Sequence, residues 1–200
     1  IFLKTNILGT QVLLDLAVKY NTRFIYISTD EVYGDFKNGY DDIFSPLKPS
    51  SPYSVSKAAG DMLTQSYGRT YGLNYSIIRP CNNFGHKQHR EKFIPTIVNS
   101  ILEGKKIPIY GNGLNQREWI PSYICAETIL NTIDNKIEIG NLSSEYGLTN
   151  LQLTQKVIDI LGKGEIEFIE DRKGHDFRYA ISCSMKHLIP NFDILKELEI

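Results

Sequence analysis

The sequence predicts an α/β fold of the doubly wound, parallel-sheet kind. Three observations carry this. A β-rich run at residues 23–28 (RFIYIS) shows no alternation of charge, as expected of a strand covered on both faces. Further short strands at 75–79 and 106–110 alternate with helical stretches at 53–71 and 93–103. With 200 residues and 42% apolar content, the chain is long enough to bury a core of ordinary composition.

Residues 1–20 read as a helix already under way. Ile7, Leu8, Val12, Leu13, Leu16 and Ala17 mostly follow i, i+3, i+4 spacing, and nothing resembling a cap precedes Ile1. Residues 35–52 hold Gly, Asp, Ser and three prolines and form a loop. After Gly113 the strand-helix rhythm loosens. Residues 151–161 form an amphipathic helix anchored by Leu151, Leu153, Val157, Ile158 and Leu161, and residues 166–170 a strand. A smaller α+β lobe is expected in the last third, with residues 84–102 folded against it.

Composition excludes several classes. Twenty-two Lys and Arg against 23 Asp and Glu leave a net charge of −1, too little positive charge for a polyanion binder. No apolar run reaches a membrane span of about 18 residues, and residues 1–6 lack the sections of a signal peptide. Cys81, Cys125 and Cys183 are odd in number and far apart, which suits a reducing cytosol better than a disulfide framework or zinc site. His86 and His89 have no further ligands in a metal pattern, so no metal is expected. The sequons at Asn74 and Asn141 are read as chance.

Three segments can carry chemistry. Tyr53 and Lys57 in YSVSK stand at i, i+4 on one helix face. An ammonium there lowers the phenol pKa and lets it take a proton from an alcohol; the same spacing also suits a plain amphipathic face. Ser28-Thr29-Asp30-Glu31 follows a strand at the carboxyl edge of the sheet, where α/β folds place ligands. Two adjacent carboxyls there can divide acid and base work, and a polar capped turn explains them equally well. Asn82 and Asn83 follow another strand end, with amides suited to sugar hydroxyls or to simple turn chemistry. Arg117 and Arg172 could grip a diphosphate and Tyr110 could stack on a base. A Rossmann-like fold normally opens on a Gly-rich strand-to-helix turn. The 200 residues hold only the lone Gly111-Asn112-Gly113.

In this order the segments resemble the extended short-chain dehydrogenase/reductase superfamily, and within it the nucleotide-sugar 4,6-dehydratases, most of all those acting on dTDP-glucose. The matching stretches are TNILGT (5–10), STDEVYG (28–34), PSSPYSVSKAAGD (49–61), RTYGLNY (69–75), CNNFG (81–85), EKFIP (91–95), PIYGNG (108–113), REW (117–119) and DRKGHDFRYAI (171–181). The resemblance implies a Rossmann-like core at residues 1–113, incomplete for NAD, with 84–102 contributing to a substrate-binding lobe formed by 114–200. It implies NAD as cofactor, touched by Thr5, Tyr53, Lys57 and Asn83. It implies catalysis by Tyr53, Lys57, Thr29, Asp30 and Glu31. Tyr53, with Lys57 and Thr29, would deprotonate the sugar 4-hydroxyl, Glu31 would take the C5 proton, and Asp30 would protonate the departing 6-hydroxyl. The nucleoside-diphosphate glucose would be lined by Thr29, Asn82, Lys92, Phe93, Pro108, Ile109, Tyr110, Arg117, Asn141, Asp171, Arg172, Lys173, Gly174 and His175. Family members are commonly homodimers packed through the first helix and the Tyr53 helix.

The family's GxxGxxG half is expected ahead of Ile1 and to be needed for activity. Cys81 stands where Ser is usual, His86 replaces a proline, and Ile120-Pro121-Ser122-Tyr123 replaces an acidic run. A UDP-sugar epimerase or decarboxylase is the alternative, though such enzymes tend to carry a Ser-rich segment in place of Asp-Glu. An inactive remnant that binds a sugar nucleotide is another.

Overall fold

A computed structural model describes residues 1–35, 39–172 and 174–198. Helix α1 (Gly9–Lys19) is entered through a π-helical turn, Leu3–Leu8. Strand β1 (Phe24–Ile27) leads into a 3-10 turn (Asp30–Tyr33), and helix α2 spans Pro52–Tyr71. Helix α2 starts where expected because Ser51 and Ser54 close a reciprocal capping box with Pro52 at the first helical position. It stops at Gly72, whose φ of 68° fits the left-handed cap.

Then follow β2 (Tyr75–Pro80), β3 (Asn82–Phe84), α3 (Phe93–Leu102), β4 (Ile107–Tyr110), β5 (Gln116–Pro121) and α4 (Ser122–Asn131). The chain continues through β6 (Ile139–Leu142), β7 (Gly147–Thr149), α5 (Asn150–Leu161), β8 (Ile166–Ile169) and α6 (Ile194–Glu197).

The core sheet is parallel, in the order β1-β2-β6. Strand β2 lies in its middle and is buried along most of its length. A second sheet runs β3-β5-β7, and β4 pairs with β8 in parallel. Helices α3 and α5 cover that last pair through Ile97, Ile101, Ile107, Ile109 and Val157. Residues 84–102 thus pack with the later part of the chain. Strand β6, beyond residue 113, returns to complete the core sheet.

Two expectations are corrected. The apolar stripe read over residues 7–17 coincides with the buried face only at Ala17. Thr10, Leu14 and Ala17 are buried, whereas Leu8, Val12, Leu13 and Leu16 are 43–57% exposed. The helix turns a narrower face to α2, and spacing alone does not say which of two apolar stripes meets a neighbour. Strand β1 is not covered on both faces. It is an edge strand of this sheet and its Ile27 is 38% exposed.

A buried charge network ties the layers together. Arg79 of β2 grips Asp61 of α2 through Nε (2.9 Å) and Nη2 (3.1 Å). Its Nη1 donates to the Tyr33 hydroxyl at 2.6 Å, and that hydroxyl donates to Asn141 Oδ1 of β6 at 2.8 Å. Helix α2 sits close enough to the sheet that a Cβ on Gly60 would overlap the Tyr26 hydroxyl and crowd the Asn6 carbonyl. Gly60→Ala is therefore expected to cost about 1–3 kcal/mol despite its better helix propensity, measured by urea unfolding. A neutral or stabilising result would refute this packing.

Candidate active site

The 3-10 turn after β1 begins at Thr29, whose Oγ1 accepts from the Glu31 amide at 3.4 Å and donates to Asp30 Oδ1 at 3.1 Å. This local bonding places both carboxyls at the carboxyl edge of the core sheet. Asp30 is only 3% exposed, and its Oδ2 is buried with no hydrogen-bond partner among the described residues. Burial, with Glu31 and Glu118 adding negative charge, pushes its pKa up to about 7, against the opposing Arg117. Burial also raises Glu31, but Arg117, Arg172 and Lys92 favour its charged form. Burial thus raises both carboxyls, and more cations face Glu31 than face Asp30.

Tyr53, in the first turn of α2, lines one hollow with Glu31, Ser51, Glu91, Lys92, Arg172, Gly174, Asp176, Tyr179 and Phe2, about 490 Å³ in volume. A second, of about 460 Å³, shares Glu31, Glu91, Lys92 and Arg172 with the first. Asn82, Phe93, Pro108, Tyr110, Arg117, Trp119 and His175 complete its wall, with Thr96 and Asn150. The phenol and the base therefore face one cavity. A larger hollow of about 620 Å³ between Arg23, Arg69 and Lys136 holds none of these groups.

The acidity of Tyr53 departs from expectation. Burial and the charges of Glu31 and Asp30 push it up to about 12, opposed by a hydrogen bond with Thr29. Lys57 does not lower it. Its ammonium donates to the Ile27 carbonyl and lies 4.6 Å from the centre of the Tyr26 ring. Burial lowers the Lys57 pKa, and Asp61 one turn away supports its charge.

Other expected residues divide cleanly. Arg117 is buried, stacks 4.2 Å over Tyr179, and donates to the carbonyls of Gln116, Asp176 and Phe177. Its guanidinium orders the segment after residue 175 as well as facing the cavity. His175 bonds Asp171 at 2.7 Å, which holds the Asp171 carboxyl below its usual range. Phe93 stacks on Trp119 at 6.3 Å.

Asn141, Ile109, Thr29 and Asp171 do not line the cavity. Asn141 is wholly buried, bonded to Tyr33, to the Asp41 carbonyl and to Ser184. Ile109 points into the core between α3 and α5, because strand alternation sends only Pro108 and Tyr110 outward. Thr5 is exposed on the π-helical turn, and Asn83 donates to the Cys81 carbonyl. Lys173 lies outside the described residues. Sequence reasoning missed Phe2, Ser51, Glu91, Thr96, Trp119, Asn150, Asp176 and Tyr179 as wall residues. For Trp119 a signal existed: on a strand it shares a face with Arg117.

Residues 1–142 match the NAD dependent epimerase/dehydratase family. The chain belongs to that family. It is 42% identical over 188 residues to a dTDP-glucose 4,6-dehydratase of Streptomyces antibioticus, covering 92% of this chain and 56% of that protein. It is 45% identical over 190 residues to the low-salt glycan biosynthesis protein Agl12 of Haloferax volcanii, covering 92% and 61%. Among solved structures it is similar to DesIV, the dTDP-glucose 4,6-dehydratase of Streptomyces venezuelae with NAD and TYD bound. The TM-score is 0.94 at 38% identity, over 98% of this chain and 64% of that one. A UDP-glucuronic acid 4-epimerase of Bacillus cereus, in complex with NAD, gives 0.91 at 25% identity, over 98% and 66%. The chain thus spans a little over half the length of the curated relatives it matches.

For a member of the epimerase/dehydratase family the site fits one end of the cofactor. The phenol of Tyr53, the ammonium of Lys57 and the amide of Asn83 are donors suited to ribose hydroxyls and a carboxamide. Lys57 reaches the carboxyl end of β1, where its ammonium donates to the carbonyl of the exposed Ile27. Gly111 and Gly113 both have positive φ and turn the chain between β4 and β5, so they are no diphosphate cradle. Among the described residues no cluster could hold a metal, and no helix is long and apolar enough to cross a membrane.

Proposed function

We propose that the chain is the catalytic portion of an NAD-dependent nucleoside-diphosphate-glucose 4,6-dehydratase, a lyase yielding a 4-keto-6-deoxy sugar nucleotide. One observation carries this reading: a near-neutral carboxylic acid, Asp30, stands beside a charge-supported base, Glu31, and that base shares a cavity with a phenol. Epimerisation at C4 needs the phenol but no acid-base pair; loss of water across C5 and C6 needs both.

Tyr53 and Lys57 would hold the nicotinamide ribose, and Asn83 the carboxamide. When bound, NAD supplies the electrophilic ring that accepts the C4 hydride and returns it at C6. Tyr53, with Thr29 nearby, exchanges the proton of the sugar 4-hydroxyl. The resulting ketone acidifies C5, and Glu31 takes that proton. Asp30, half-protonated near pH 7, gives its proton to the departing 6-hydroxyl. Arg172 and Lys92 supply cations for the diphosphate, and Phe93 and Tyr110 offer faces to the base. The exposed leucines of α1 support a homodimer through α1 and α2.

Turnover is expected to need a Gly-rich segment ahead of Ile1. The chain alone, given dTDP-glucose or UDP-glucose with NAD, should form no 4-keto product, while dTDP-glucose raises its melting temperature. Joined to the amino-terminal segment of the Streptomyces antibioticus relative, it should release water and the 4-keto-6-deoxy product. A product that keeps its 6-hydroxyl and is inverted at C4 would overturn the reading.

A further inference from the structure

Trp119 is the single tryptophan of the chain, on β5 between the buried Glu118 and Ile120. It is 4% exposed. Its indole belongs to an apolar cluster with Phe84, Ile94, Leu148, Leu153 and Leu198, and Phe93 stacks on it at 6.3 Å. None of these side chains can accept a hydrogen bond. The same residue lines the hollow of about 460 Å³ that holds Asn82, Lys92, Arg117 and Arg172. Trp119 is therefore a core residue and a wall residue at once.

The indole Nε1–H is buried and has no acceptor among the described residues. A buried indole ordinarily finds a partner for that hydrogen. The sheet register shows what stands beside it. Strands β3 and β5 run parallel with Asn82 opposite Trp119, so the two side chains share one face of the sheet. The Asn82 amide also bonds to no described residue, and it opens on the same hollow. The wall around the pair is rich in donors. Lys92, Arg117 and Arg172 carry no acceptor, and the Asn82 amide adds two N–H groups. What such a wall lacks is an oxygen with free lone pairs, and a diphosphate brings several.

We infer that the Trp119 indole N–H, with the Asn82 amide opposite it, forms an uncharged seat for one diphosphate oxygen of the nucleotide sugar. This rests on the proposed reading that the cavity takes a nucleoside-diphosphate sugar. The cations supply attraction, which has little direction. An indole locked by core packing bonds one oxygen along one line. It thereby fixes the rotation of the diphosphate, and with it the face of the hexose that meets Glu31.

Because there is one tryptophan, a nitrogen-15-labelled chain gives one indole N–H resonance, which needs no assignment. Titration with dTDP should move its proton downfield, as a new bond to a charged oxygen does. Saturating inorganic pyrophosphate, which has no base, should do the same. Trp119→Phe keeps an aromatic ring against Phe93 and removes the donor. It should bind dTDP about 10–100-fold more weakly by calorimetry, the worth of one hydrogen bond to a charged group. If that variant does not fold, the wild-type titrations decide alone. A proton that dTDP moves and pyrophosphate does not is responding to the base, and overturns the inference. So does a phenylalanine variant that binds dTDP as tightly as the wild type. A chain whose melting temperature rises with dTDP while the indole proton stays still loses this inference and keeps the nucleotide-sugar reading. A chain that binds neither dTDP nor dTDP-glucose loses both.

Discussion

Replacing Asp30 by Asn should make the chain more stable at pH 8, by up to roughly 4 kcal/mol, and on the dehydratase reading proposed above should remove the proton that leaves with the 6-hydroxyl. The sign follows from acidity. Asp30 goes from an ordinary value of 3.8 in the unfolded chain to about 7 when folded. Its contribution is therefore fully present below about pH 4 and lost as pH rises to 7. Above that the native state carries an ionised, buried carboxylate, and asparagine does not. Urea unfolding of both proteins from pH 4 to 9 reads this directly. The difference should open between pH 4 and 7 and then level off; a flat difference would show that Asp30 is not held protonated. In the active assembly the same substitution should slow water loss by about 10²–10⁴-fold, the ordinary worth of a positioned proton donor.

Asp61→Asn should be among the most damaging single changes in the core. Asp61 is fully buried and takes two hydrogen bonds from Arg79, itself 2% exposed. Leaving that guanidinium unmatched costs about 3–5 kcal/mol, or roughly 10 °C in melting temperature for a chain of this size. The double variant Asp61→Leu, Arg79→Met should recover most of the loss, because two fitted apolar side chains replace a pair whose attraction is largely spent on desolvation. If the single variant is no less stable than the double, the pair does not behave as a desolvated unit. The damage should reach the site, since Arg79 also fixes Tyr33 at the end of the turn that holds Asp30 and Glu31.

Much of the site was legible because its groups are close in sequence. Thr29, Asp30 and Glu31 form one turn, and Tyr53 heads one helix with a strong cap. Glu31 and Tyr53 meet in one cavity, as the rule that parallel sheets gather ligands at their carboxyl edge predicts, whereas Thr29 and Asp30 are buried and line neither hollow. Asn141 was misplaced because a buried amide and a ligand-facing amide look alike at a strand end. Only the Tyr33 hydroxyl, 108 residues away in sequence, shows which it is. Ile109 was misplaced by one step of strand alternation. The apolar spacing of residues 7–17 gave the helix but not its buried face, because periodicity marks an apolar stripe and does not say what covers it.

The sequence by itself determined the alternation of strands and helices and the capped start of α2, and it set the carboxyls of Asp30 and Glu31 and the phenol of Tyr53 at the ends of those elements. These depend on local propensity, caps and spacing, which act over a few residues. The tertiary structure decided the acidities. Asp30 reaches about 7 and Tyr53 about 12 chiefly through burial, with Glu31 raising both, and Arg117, brought to the site on β5 from far along the chain, opposes the rise at Asp30. Lys57 turned to a backbone carbonyl on β1 for the same kind of reason. A pKa depends on the dielectric and the charges within a few ångströms, and only the folded chain sets those.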